Sequence, residues 1–324
     1  MINKKLENIV SIISNDLSTS MSDVKLIISK FIEIIDKNTE YYKKPVSPIR
    51  FGVLSLDAYY DLHPGVIIIS GHESSGKTSL GKTIVASALR QQLYTLYHDT
   101  ENKLFLNDLS ALKNSLFANN IEGIQLEYWI KTKLLDMVLI DTVTTLNYNT
   151  SNYLIDKMRP YIDFIILLTQ MRVDIKTQKN IPACNPIHIS NAHTRILFTN
   201  IEKIQVGSLD MKRVHYIMSK YTADIKLERS RGSFIIRNNM IDNLYTAIDI
   251  LRTRGRISSR GPLKYLDDEL LGNYNKFTND PEICNRLIIE AWSELTDKDI
   301  GDSELYGMFE VQNFTEKDRR IDLT

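Results

Sequence analysis

Gly71-His72-Glu73-Ser74-Ser75-Gly76-Lys77-Thr78 is the stretch from which the fold is read. The apolar run Val66-Ile67-Ile68-Ile69 precedes it, and Ser79-Leu80-Gly81-Lys82-Thr83-Ile84-Val85-Ala86 follows. A β-branched strand, a loop of the form G-x-x-x-x-G-K-[ST] and a helix, in that order, make a phosphate-binding loop. Gly71 and Gly76 allow the backbone to bend until the N–H groups of the loop, from Glu73, Ser74 and Ser75 on to Ser79, converge on phosphate oxygens. Lys77 reaches the β- and γ-phosphates, and the Thr78 hydroxyl is a ligand for Mg²⁺. The helix that begins there turns its positive end toward the anion. The pattern implies a nucleoside triphosphate and Mg²⁺ as cofactors.

Outward from the loop, residues 49–240 alternate strand-like and helix-like segments, which predicts an α/β fold with a mostly parallel sheet covered on both faces. Val66–Ser70 is the first expected strand and residues 77–91 its helix. Tyr94–His98 is a second strand, followed by Asp99-Thr100-Glu101. Leu135–Asp141 is a third, an apolar run closed by a carboxylate, and Phe164–Thr169 a fourth, closed by Gln170. Ligands of open α/β sheets sit beyond the carboxyl ends of the strands. Glu101, Asp141, Gln170 and the loop all fall there. Asp141 suits the Mg²⁺ shell, Glu101 suits a base that deprotonates water, and the Gln170 amide suits a sensor of the γ-phosphate.

The 324 residues are 43% apolar and 25% charged, with a formal net charge of zero, the composition of an ordinary globular protein. Any affinity for nucleic acid must therefore come from a local patch. Cys184 and Cys284 are the only cysteines, which excludes a disulfide framework and points to a reduced, cytoplasmic compartment. Met-Ile-Asn-Lys-Lys-Leu-Glu-Asn at the start lacks the apolar core of a signal peptide, and no stretch is long enough to span a membrane.

Residues 1–45 read as a helical lobe, because Val24, Ile27, Ile28, Phe31 and Ile35 recur near the helical period. The lobe packs either against a neighbouring subunit or on its own domain. Lys43-Lys44-Pro45-Val46-Ser47-Pro48 then reads as an extended linker. Residues 171–195 show no clear periodicity through about 191 and read as a long functional loop. From 157 to 237 there are fourteen Lys and Arg against six Asp and Glu, so the neutral chain contains a basic region. Arg172, Lys176, Lys179 and Arg195 are its candidate contacts to a DNA backbone. Residues 241–295 read as a mainly helical satellite with a second basic cluster, in which Arg254 and Arg256 are candidate DNA contacts. Residues 296–324 form an acidic tail.

Several of these segments together resemble the RecA family of recombinases, including its phage members. Leu54-Ser55-Leu56-Asp57 is similar to the family's segment before the phosphate loop, and Gly71–Thr78 to its GPESSGKT, with His72 in place of proline. Asp99-Thr100-Glu101 resembles the family's D-x-E, whose glutamate is the ATPase base, at the same spacing of 24 residues after the lysine. Leu139-Ile140-Asp141-Thr142 matches its Mg²⁺-binding strand, and Thr169-Gln170-Met171-Arg172 its NQIR segment, whose glutamine couples ATP to a DNA-binding loop. Asn191-Ala192 sits where that loop closes. Residues 257–261 and Asp280-Pro281-Glu282 are similar, more loosely, to a C-terminal DNA-binding lobe.

The resemblance implies a RecA-like ATPase core over 49–240, an N-terminal oligomerisation lobe over 1–45 and a C-terminal α-rich DNA-binding lobe over 241–295. It implies an ATP-dependent strand-exchange recombinase that forms a helical filament on single-stranded DNA and pairs it with a duplex. If the chain is phage-encoded, its place is the host cytoplasm. Lys220, in Met218-Ser219-Lys220-Tyr221, stands closest to the family's basic residues that cap a neighbour's γ-phosphate. A hexameric helicase or translocase, and an ATP-binding recombination mediator without exchange activity, are the alternatives. Only 28 residues separate Asp141 from Gln170, which implies a shortened first DNA-binding loop.

Overall fold

The structure is a computed structural model. It describes residues 47–101, 116–119, 135–145, 155–156, 158–159, 161–173, 180–184, 186–206, 209–221 and 230–296. The chain divides into two compact units, Met1–Ser47 and Pro48–Thr324. The expected N-terminal lobe and almost all of the acidic tail lie outside the described residues.

The second unit is built on one large mixed sheet. After a one-turn helix α1 (Leu54–Asp57), strand β1 (Gly65–Gly71) leads into α2 (Lys77–Arg90). β2 (Thr95–Asp99), β3 (Leu116–Asn119), β4 (Met137–Asp141) and β5 (Phe164–Val173) follow. β6 (Asn180–Pro182), the short helix α3 (Pro186–Asn191), β7 (Thr194–Val206), β8 (Leu209–Lys220), β9 (Arg231–Arg237) and β10 (Met240–Ile241) complete it. The order across the sheet is β10-β9-β8-β7-β1-β5-β4-β2-β3, with β6 paired to β5 alone. From β7 to β3 every neighbouring pair is parallel, and from β7 to β10 every pair is antiparallel. The α/β class holds, and the parallel strands lie where the apolar runs placed them.

Two faces explain the continuous apolar strands, since a parallel strand covered on both sides has no polar face to alternate with. Val66, Ile68, Leu96, Val138, Ile140, Ile165 and Leu167 join one buried cluster with Ile155, Met158 and Ile162. On the other face α2 approaches closely enough that a Cβ on Gly81 would touch Leu139 and Leu168.

One expectation is corrected and another is extended. The described residues of 171–195 are not an irregular loop: β5 runs on to Val173 and pairs with β6 in the antiparallel sense, with Met171, Arg172 and Val173 opposite Pro182, Ile181 and Asn180. α3 then follows from Pro186, the residue that best tolerates the first helical position. A three-residue strand is too short to display a period of two, so the pattern was invisible. The region after 241 is mainly helical, as its apolar spacing predicts, but it also contains a sheet that the spacing does not show. Between α4 (Asn243–Thr253) and the helices α5 (Tyr274–Phe277) and α6 (Pro281–Thr296) stands a three-stranded antiparallel sheet. Its strands are β11 (Ile257–Arg260), β12 (Leu263–Leu266) and β13 (Glu269–Gly272). Its second turn places Asp267 and Asp268 at φ 48° and 70°, the left-handed pair of a tight hairpin.

These C-terminal elements share a core with the rest of the unit. Leu54, Met211 and Ile235 pack with Ile248, Leu251, Leu287, Ile288 and Trp292. Each such side chain contributes about 1.5–3 kcal/mol on burial, enough in sum to hold α4 and α6 to the sheet. Asn243 adds a two-way bond, accepting from Leu54 N at 3.0 Å and donating to Gly52 O at 3.0 Å. Among the described residues no helix is long and apolar enough to cross a membrane.

Asp57 closes the entry to the unit. Its buried carboxylate accepts from the backbone N–H of Phe51 at 2.6 Å, Gly52 at 2.9 Å and Val53 at 3.0 Å. Burial pushes its pKa up to about 7, opposed by these three donors and by the nearby Arg50. Asp57→Ala would leave three buried N–H groups without an acceptor. Each costs about 1–3 kcal/mol, so a loss of at least about 3 kcal/mol is expected in urea unfolding. A loss below about 1 kcal/mol would show that water replaces the carboxylate.

Candidate functional site

Strand register brings the site together. Gly71 at the end of β1 is level with Gln170 of β5, and Asp141 at the end of β4 is level with Asp99 of β2. All four stand at the carboxyl edge of the parallel strands, as the apolar runs and their terminal residues required.

The 71–78 loop turns out of β1 through Ser74, at φ 57°, and Gly76, at φ 92°. Gly76 caps α2, and a Cβ on it would collide with the Ile236 side chain of β9, so both conformation and space demand glycine. Ser75 and Ser79 are buried, whereas Glu73 and Ser74 face solvent. Lys77 is only 7% exposed because its side chain curls back over the loop. Its Nζ donates to Gly71 O at 3.0 Å and to His72 O at 2.6 Å, with Ser75 Oγ at 3.5 Å. A compact cation is thereby held inside a bend of backbone, at the positive end of a helix of 14 residues.

One helical position further, the Thr78 hydroxyl donates to Asp141 Oδ2 at 2.7 Å, a contact across 63 residues of sequence. Tyr97 of β2 donates to the same oxygen, also at 2.7 Å. Burial raises the pKa of Asp141. The bonds from Tyr97 and Thr78 oppose the rise, and the charges of Asp99 and Glu101 reinforce it. Two oxygen donors are too few for an all-protein Mg²⁺ cage, but they suit an ion that arrives with phosphates supplying further ligands.

Glu101 and Gln170 meet beside this pair. Glu101 N donates to Asp99 Oδ1 at 3.1 Å, and Gln170 Nε2 donates to Glu101 Oε1 at 3.4 Å. Three threonines lock the strand ends around them. Thr142 N donates to Thr100 Oγ1 at 2.7 Å, and Thr100 Oγ1 donates to Thr142 O at 2.8 Å. Gln170 N donates to Thr144 Oγ1 at 3.0 Å. A carboxylate, an amide, an ammonium and a hydroxyl–carboxylate pair are thus gathered at one edge. The arrangement can hold a polyphosphate and a hard cation, and it can accept a proton.

No protein-family model and no curated protein matches the chain. The geometry of its own residues is therefore what bears on function.

The expected DNA contacts are scattered. Arg172 is exposed in the part of β5 that pairs with β6, two residues beyond Gln170. Lys176 and Lys179 lie outside the described residues. Arg195 is half-buried in β7, level with Ile68 in the middle of β1 rather than at the carboxyl edge. Lys220 is opposite it on β8, donating to Ser190 O at 3.0 Å, and so lies back from the carboxyl edge where Gly71 begins its own chain's loop. Arg254 is exposed. Arg256 is engaged within the fold. It pairs with Asp267, with Glu290 at 2.9 Å and with Glu294 at 3.1 Å, so its charge is compensated internally.

Sequence reasoning missed Tyr97 and the threonines. The one signal available was a tyrosine inside the otherwise apolar start of Thr95-Leu96-Tyr97-His98-Asp99, two residues before Asp99 and so on its face.

Proposed function

We propose that the chain is a DNA-dependent ATPase of the RecA type, a strand-exchange recombinase that forms helical filaments on single-stranded DNA. The observation that carries the ATPase is the Thr78–Asp141 bond at 2.7 Å, next to the ammonium of Lys77. In this reading the loop amides and Lys77 hold the triphosphate, and Thr78 and Asp141 hold Mg²⁺. An ion held by these two residues would supply positive charge to offset that of the phosphates. Glu101 orients a water and accepts its proton.

Coupling to DNA rests on β5. Gln170 bonds Glu101, and the same strand continues without a break to the exposed Arg172. A shift of Gln170 toward a γ-phosphate would therefore move a cation at the surface. Lys220, back from the carboxyl edge, is assigned to a neighbour's nucleotide. The compartment proposed is a reduced cytoplasm, of a bacterial host if the chain is phage-encoded.

Electron microscopy of the full chain with single-stranded DNA, ATP and Mg²⁺ tests the assembly. Helical filaments are expected. Closed rings would support the helicase reading, and filaments without strand exchange the mediator reading. Arg172→Ala tests the DNA path. Removing one cation from a single strand's phosphates lowers the slope of log affinity against log salt by about 0.7. A parental slope and affinity would place the strand elsewhere on the surface.

A further inference from the structure

Asp141 Oδ2 receives two hydrogen bonds, and the proposed ATPase needs only the one from Thr78. The second donor, Tyr97, is completely buried, at 0% exposure, in the middle of the sheet between Leu139 of β4 and Phe117 of β3. Its phenol lies 2.7 Å from Oδ2. A phenylalanine or leucine would fill the strand's apolar face equally well, so the hydroxyl is not explained by packing.

We infer that Tyr97 is a positioning residue for the divalent cation, its hydroxyl setting the orientation of the Asp141 carboxylate. This inference rests on the ATPase reading above. Oδ2 is held by two donors, Thr78 of α2 and Tyr97 of β2, and Oδ1 has no hydrogen bond among the described residues. Rotation of the carboxylate would exchange the two oxygens, and breaking two charge-assisted bonds at once opposes it. The chemical type of the donor matters as well. A lysine or arginine at this position would also bind the carboxylate, but its charge would repel an incoming cation. A phenol donates a hydrogen bond without adding positive charge. It also offsets the crowding of anions at this edge, where Asp99 is level with Asp141 and Glu101 is bonded to Asp99 through its own N–H.

Residues that orient a metal ligand from behind typically change metal affinity by about 10- to 100-fold. Tyr97→Phe keeps the ring and removes the hydroxyl. Binding of a fluorescent ATP analogue to the full chain is measured in EDTA and across a Mg²⁺ titration, with a thermal melt in EDTA as the check on folding. The half-saturating Mg²⁺ concentration is expected to rise by about tenfold or more, while affinity in EDTA and the melting temperature stay near parental values. Tyr97→Met, which fills the space with no donor, should behave alike and serves if the first variant is unstable. A Mg²⁺ dependence within about twofold of the parent in a folded variant overturns the inference and leaves the ATPase reading standing. Equal losses with and without Mg²⁺ also overturn it, because they mark a general loss of site structure. A parent chain whose nucleotide binding ignores Mg²⁺ overturns both.

Discussion

Lys77→Ala is expected to lose nucleotide binding by about 100-fold or more, with the fold retained. Two charge-assisted bonds from an ammonium to phosphate oxygens, at about 1.5–3 kcal/mol each, correspond to two or more factors of ten. The structure adds a reason for the large effect. The Nζ already rests on Gly71 O and His72 O at 3.0 and 2.6 Å, so the cation is placed before any ligand arrives and little entropy is lost in using it. Removing it takes away the charge and also releases two loop carbonyls. Lys77→Met loses the ammonium and its two carbonyl contacts but retains an apolar stem, so the comparison with alanine separates loss of the charged head from loss of side-chain packing. Calorimetric titration with ATP and Mg²⁺ measures both variants. Parental affinity in either one would remove the loop from nucleotide binding.

Glu101→Gln is expected to act differently, slowing hydrolysis by about 10²–10⁴ while ATP still binds. An amide cannot accept the proton of an attacking water. It can still present its carbonyl oxygen to Gln170 Nε2, so the bond at 3.4 Å has a replacement and the link to β5 survives. The variant should therefore hold DNA in its ATP-bound state for longer than the parent. Steady-state phosphate release and DNA retention, measured together, test this pair of outcomes. Hydrolysis within a few-fold of the parent would move the base elsewhere. Asp99 would be next, although at 2% exposure and bonded to Glu101 N it is the less accessible carboxylate.

Legibility varied with the range of the interaction. Strands β1, β4 and β5 were readable because each is an apolar run that leads to Gly71, Asp141 or Gln170, and a strand buried on both faces has no other pattern to show; β2 is a shorter, more polar run that leads to Asp99. The β6 strand that sets Ile181 opposite Arg172 was not readable, because pairing over three residues leaves no periodic trace. β11–β13 were missed for a similar reason: strands of four residues were set among helices whose apolar spacing dominated the reading. Arg256 looked like a free surface cation in a basic cluster. Its three carboxylate partners come from Asp267, Glu290 and Glu294, and nothing local in the sequence announces that they converge.

By itself the sequence determined the α/β class, the strand–loop–helix unit around Lys77 and the set of polar residues that end the parallel strands. These depend on local chemistry: glycine at a left-handed turn, β-branched residues in a covered strand, and a carboxylate or amide where the strand stops. Only the tertiary structure decided which strand ends are neighbours, that β7 to β10 extend the sheet in the antiparallel sense, and that Tyr97 and Thr78 share one oxygen of Asp141. Strand order and convergence of side chains are set by long-range packing, which sums many interactions of small individual energy and leaves no mark at any single position.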